Sequence, residues 1–172
     1  MSKITDFWLH NGKTQDGYAL EDILNFSNQE LERGHTYIQW IFPLDEPSRA
    51  QPRSPVLTDE DIETLRGDDT VALKMGMTLG VMGNFYGFTM ASRDGETVFI
   101  RSPDFESLAD NWLTPRNHNF LRLTRMIKSL SLLGFGYYGR ALQKFLLDLA
   151  DEEENKNIIG YTTRSFWEEA WQ

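Results

Sequence analysis

The chain has 172 residues, of which 40% are hydrophobic and 25% charged, with 11 Phe, 6 Tyr and 5 Trp. That is enough for one filled core in a single domain over residues 1–172, and it excludes a disordered tail. The absence of cysteine excludes a disulfide framework, thiol catalysis and thiolate metal sites and suits a reducing, cytoplasmic setting. A net charge of −9 argues against a general nucleic-acid binder. With no basic-then-apolar leader and no run of about 18 apolar residues, neither a secretion signal nor a membrane span is expected.

Residues 1–19 are polar, contain Gly12 and Gly17, and read as a loosely structured N-terminal arm anchored by Phe7 and Trp8. Ser27-x-x-Glu30 has the form of a capping box, in which a hydroxyl and a carboxylate accept backbone N–H groups at a helix start. The helix it opens is predicted to run to Phe42, where Pro43 forbids continuation. Pro43, Pro47, Pro52 and Pro55 make the next stretch an extended loop. Thr58-x-x-Asp61 forms a second box, with Leu57 and Ile62 at the spacing of a hydrophobic staple, and predicts a short helix to about Arg66. Val71–Phe88 reads as a helix with Gly76, Gly80, Gly83 and Gly87 in one stripe. Each glycine costs about 1 kcal/mol against alanine in a helix, so Gly80 and Gly83 are expected to face another helix at close range, with backbone approach to a ligand as the alternative.

Met90–Arg93 and Glu96–Arg101 flank Asp94-Gly95, a dipeptide suited to a type I′ turn, and predict a hairpin. Pro103 and Pro115 bracket an irregular stretch or short helix containing Trp112. Asn117–Gly134, Tyr137–Glu153 and Arg164–Trp171 are predicted helices. Gly134-x-Gly136-x-x-Gly139 has the letters of a dinucleotide fingerprint, but it follows a helix rather than a strand and reads as a helix stop and flexible joint. The fold class expected is mainly α, a compact multi-helix domain with one small β-hairpin near residues 90–101.

Chemistry concentrates where charge is uneven. Between Asn111 and Leu147 there is no Asp or Glu, yet Arg116, Arg122, Arg125, Lys128, Arg140 and Lys144 lie there. Basic and acidic surfaces of one fold could simply complement each other; a local anion site is the sharper reading. On the Asn117 helix, His118, Arg122, Arg125 and Ser129 form a polar stripe at the edge of an apolar face, which should be partly buried. A guanidinium beside a core pairs with a carboxylate or holds an anionic ligand. Asn119 sits at the same helix start, where unpaired N–H groups favour anions. Glu32, His35 and Gln39 are spaced to share a face of the first helix, and Glu32 is the preferred internal partner for the arginines. No His-x-x-x-His, EF-hand loop, nucleophile elbow, P-loop or kinase signature occurs, so no metal or cofactor is expected.

Two stretches carry a resemblance. The run from His35 through Trp40 to Pro43, HTYIQWIFP, followed by Glu46-Pro47 and Leu57-Thr58, resembles a signature of the opioid growth factor receptor conserved region. Asn117 to Leu130, NHNFLRLTRMIKSL, then Leu133-Gly134, resembles the second signature, with Phe85-Tyr86-Gly87 and Trp112 between them. The likeness spans about residues 30–149. The animal receptor of this family carries a long repetitive C-terminal region, against which this sequence is expected to be compact, and the glycine stripe lies outside the resemblance. The resemblance implies a receptor-type role: the animal member is described as the receptor for an enkephalin peptide that restrains growth, associated with the nucleus and nuclear envelope. The leading expectation is therefore a non-enzymatic module that binds a peptide or protein. The alternative is an enzyme or sensor for a small anionic molecule, and a third reading makes the polar stripe an internal network only. Candidate ligand-binding residues are His35, Gln39, Trp40, His118, Asn119, Arg122 and Arg125. No catalytic residue is assigned and no specific nucleic-acid binding is expected.

Overall fold

Capping and apolar spacing set ten helices and one two-stranded antiparallel sheet over Met1–Trp171, the residues described by the computed structural model. The mainly α expectation with a single hairpin holds. Contacts sort the chain into two compact units, the first comprising Met1–Val81 with Leu132–Gly134, the second Met82–Ser131 with the residues from Phe135 on.

In the first unit, α1 (Lys3–Leu9) starts at Ser2, whose hydroxyl accepts from the Thr5 amide at 3.2 Å. Ile4, Phe7 and Trp8 are buried, at the spacing of one helical stripe. The expected loose arm is therefore corrected to a docked helix over this stretch, and its two aromatic anchors are the reason. The Phe7 ring lies 5.4 Å from that of Trp40, and Trp8 Nε1 donates to the Trp40 carbonyl at 3.2 Å. A short α2 (Leu20–Leu24) follows, burying Leu20 and Ile23.

The Ser27–Glu30 box opens α3 (Asn28–Arg33) as expected, but the single helix to Phe42 is corrected. Gly34 takes φ −69°, ψ 129°, an extended conformation that ends α3, and α4 (Ile38–Ile41) is a separate turn. A Cβ on Gly34 would stand 2.7 Å from the Tyr37 ring. That ring folds over the break, and its hydroxyl donates to the Leu31 carbonyl at 2.8 Å. The proline-rich stretch has no regular structure. The Thr58–Asp61 box then opens α5 (Asp59–Leu65) with both reciprocal hydrogen bonds in place.

The boundary between the units falls within α6 (Asp69–Tyr86). The expected close helix contact at Gly80 is overturned: Gly80 is exposed, and nothing lies within 4 Å of a Cβ built there or at Gly76. No contact explains those two glycines. Gly83 does face a close neighbour, but that neighbour is the carbonyl oxygen of Phe88, belonging to the chain as it turns back. Gly87, at φ +87°, makes that turn, in the region where glycine pays no steric penalty.

In the second unit, β1 (Phe88–Arg93) and β2 (Glu96–Arg101) pair across Asp94-Gly95, whose φ values of 53° and 83° are both positive, as a type I′ turn requires. Phe88 and Phe99 face inward. Tyr86, Phe88, Phe105, Trp112, Phe120 and Trp167 form a chain of ring contacts. Trp112 Nε1 donates to the Tyr86 carbonyl at 2.9 Å, which satisfies the last carbonyl of α6 without water. A short α7 (Phe105–Ala109) precedes α8 (Asn119–Leu132) and α9 (Gly136–Asp151), with Gly134 at φ +84° ending α8 as expected. Gly136 and Gly139 present a smooth surface on which the Trp171 ring lies, with the Arg140 guanidinium 5.2 Å from its centroid. The terminal helix α10 (Lys156–Glu169) begins earlier than the expected Arg164 and kinks at Gly160, φ 74°, ψ 163°, a conformation open essentially to glycine alone.

Candidate functional site

The stripe on α8 is built around Asn119, which is fully buried. Asn117 precedes the helix, and its Oδ1 accepts from the Asn119 amide at 2.9 Å and from its side-chain nitrogen at 3.0 Å. Asn117 is itself held by Thr114 Oγ1 at 3.0 Å. Asn119 Oδ1 accepts from the Tyr86 hydroxyl at 3.2 Å and from Arg122 at 3.4 Å. Its nitrogen lies 3.4 Å from His118 Nε2. Asn119 thus uses both ends of its amide to fix a tyrosine, an arginine and a histidine. Arg122 and Ser129 are buried, Arg125 is half-buried and His118 is exposed. Ser129 Oγ is enclosed without a hydrogen-bond partner among the described residues.

His35, Gln39 and Trp40 come together in the first unit, though not as one helical face with Glu32, because the chain breaks between α3 and α4. His35 is exposed, whereas Gln39 and Trp40 are buried. With the Gln39 amide oriented so that its nitrogen faces the backbone, the orientation that pairs donors with acceptors, it donates to the carbonyls of His35 and Thr36 at 3.1 and 2.9 Å. Gln39 therefore ties down the backbone at the interruption between α3 and α4. Trp40 Nε1 donates to Gln15 Oε1 at 3.3 Å.

That bond leads to an open cleft of about 530 Å³ in the same unit, lined by Gln15, Asp16, Thr36, Gln51, Pro52 and Arg53. The Thr36 hydroxyl donates to Asp16. Sequence reasoning missed these residues apart from the signature run that contains Thr36. They come from three separate segments, and no periodicity or spacing links them. A smaller hollow of about 250 Å³ lies in the second unit at the kink of α10, walled by Asp151, Lys156, Tyr161 and Arg164. There Arg164 Nε pairs with Asp151 at 3.0 Å, and the guanidinium beside it holds the Asp151 carboxyl below the usual aspartate range.

Two further groups are perturbed. Burial pushes the Asp61 carboxyl up, but hydrogen bonds from Ser2 and from the amide and hydroxyl of Thr58 outweigh it and leave the group below its ordinary value. Tyr137 is pushed up to about 12 by burial and by its hydrogen bond with Tyr138. Among the described residues no cluster of three or more His, Asp or Glu side chains is placed to hold a metal ion, and no helix is long and apolar enough to cross a membrane.

Comparison with known proteins adds a family. The model described as the opioid growth factor receptor conserved region matches residues 6–166, extending beyond both ends of the signature-bearing stretch. The opioid growth factor receptor of Rattus norvegicus is 36% identical over 136 residues, covering 77% of this chain and 23% of the relative. The Homo sapiens receptor is 35% identical over 136 residues, with 20% of its length covered. Opioid growth factor receptor-like protein 1 of Xenopus tropicalis is 32% identical over 135 residues, with 26% covered. The chain thus matches about a quarter or less of the length of the first two and slightly more of the third. No solved structure matches it.

Proposed function

The chain belongs to the opioid growth factor receptor family, and from that premise we propose that it is a ligand- or protein-binding module with a candidate surface in each unit, carried by His35, Gln39 and Trp40 of the first signature run and by His118, Asn119, Arg122 and Arg125 of the second. One observation carries this reading: in each unit an exposed histidine, His35 or His118, sits beside a buried amide, Gln39 or Asn119, that holds the local backbone or the ring. A side chain presented to solvent on a backbone locked from beneath is prepared for recognition, because little freedom is lost on binding. The relatives are named as receptors of an opioid growth factor, so a peptide is the ligand class carried over. Arg122 and Arg125 are the groups that would meet a carboxylate or phosphate.

The test is a calorimetric titration with an enkephalin peptide and, separately, with inorganic phosphate. His35→Ala and His118→Ala, both at exposed positions, should leave the chain folded and weaken peptide binding at least tenfold. Peptide affinity unchanged in the double variant overturns the assignment of both candidate surfaces. Phosphate binding lost in Arg125→Gln without any peptide binding would favour the small-anion reading instead.

A further inference from the structure

We propose that the cleft between residues 15–16, Thr36 and residues 51–53 binds a small zwitterion, a molecule with a carboxylate at one end and an ammonium group at the other. This goes beyond the peptide-module reading and rests on different residues. Arg53 is exposed and makes no ion pair or hydrogen bond among the described residues, so its planar fork is open to a carboxylate. Asp16 lines the same cleft and does not pair with Arg53. One of its oxygens takes the Thr36 hydroxyl, and an ionised carboxylate has lone pairs left to accept from an ammonium group. Two opposite charges that share a cleft without meeting mark the two ends of a dipolar guest.

The neutral lining agrees. Gln15 Oε1 is occupied by the Trp40 indole N–H, so the end of that side chain left to the cleft is its donor NH2 group. Thr36 is held from behind by the Gln39 amide. Both walls are therefore fixed by the buried residues of the first signature run. The volume of about 530 Å³ falls in the range of small-molecule sites, about 300–1,000 Å³. The long-range field also favours this class. A chain of net charge −9 repels a free anion, whereas a molecule of zero net charge meets no such penalty.

Chain length between the two charges provides the test. The ¹⁵N-labelled protein is titrated with ω-amino carboxylates from glycine to 6-aminohexanoate, following the backbone amides of Asp16, Thr36 and Arg53. Affinity should rise to one best length and fall beyond it. At that length, acetylating the amine or amidating the carboxylate should each weaken binding at least tenfold, as should Arg53→Gln and Asp16→Asn. Arg53→Gln alters an exposed side chain that makes no bond among the described residues, so it keeps the fold and decides the question even if Asp16→Asn does not. The proposal is overturned if no length shifts these amides, if capped forms bind equally well, if acetate alone binds as tightly, or if binding survives Arg53→Gln. Enkephalin binding at the signature residues is read separately, so either result stands without the other.

Discussion

At the scale of single residues, two buried amides, Gln39 and Asn119, organise the candidate surfaces from beneath. Gln39 holds the carbonyls of His35 and Thr36, and cutting this buried side chain back removes both bonds. Gln39→Ala should therefore cost about 1–3 kcal/mol, read from the shift of the denaturation midpoint at unchanged slope. Gln39→Glu should cost at least as much, because a carboxylate can accept but not donate to two carbonyls. The position of Gln39 in a signature run was legible in the sequence. Its role was not, because the capping box and Pro43 predict one unbroken helix, and in such a helix the carbonyls of residues 35 and 36 already have partners.

At the scale of elements, α6 separates two kinds of glycine that look alike in sequence. Gly76 and Gly80 have open space where a Cβ would stand, while Gly83 has the Phe88 carbonyl oxygen there. Gly80→Ala should stabilise the chain by up to about 1 kcal/mol through helix propensity alone. Gly83→Ala should destabilise it, since rigid backbone must move. Thermal melts of the two variants shift in opposite directions if this is correct, and equal shifts would show that the stripe acts as a unit. Helical periodicity placed the four glycines on one side, but it carries no information on where the chain goes after Tyr86. The hairpin and the capping boxes were legible because their chemistry is local: Asp94-Gly95, Ser27 with Glu30 and Thr58 with Asp61 each complete their hydrogen bonds or their turn within four residues. The docked α1 was hidden because Phe7 and Trp8 acquire their partner, Trp40, from far along the chain. The cleft was hidden for the same reason, assembled from three segments that share no pattern.

At the scale of the whole molecule, each unit contains an aspartate whose folded value lies below the ordinary 3.8, Asp61 in the first and Asp151 in the second. A carboxylate held low adds stability that is complete above the ordinary value and is lost as pH falls through the folded one. Stability should therefore vary little with these groups from neutral pH down to about 5, then decline as acid protonates them. Asp61→Asn should remove part of that acid dependence, because its amide still caps Thr58 but no longer titrates. Urea midpoints measured across this range check the sign, and a variant whose acid limb matches the native chain would rule out Asp61 as a contributor.

The buried tryptophans carry one more consequence. Trp8 and Trp40 give their indole protons to the Trp40 carbonyl and to Gln15 in one unit, and Trp112 and Trp167 give theirs to the carbonyls of Tyr86 and Phe120 in the other. Indole protons bonded in this way and shielded from water exchange with deuterium only when the surrounding structure opens. Each unit therefore carries its own clock, visible as resolved signals in one spectrum of the unmodified chain. Transfer into heavy water would time the opening of each unit directly. A single shared opening free energy would mean that the two units unfold as one cooperative body, and separate values would rank them.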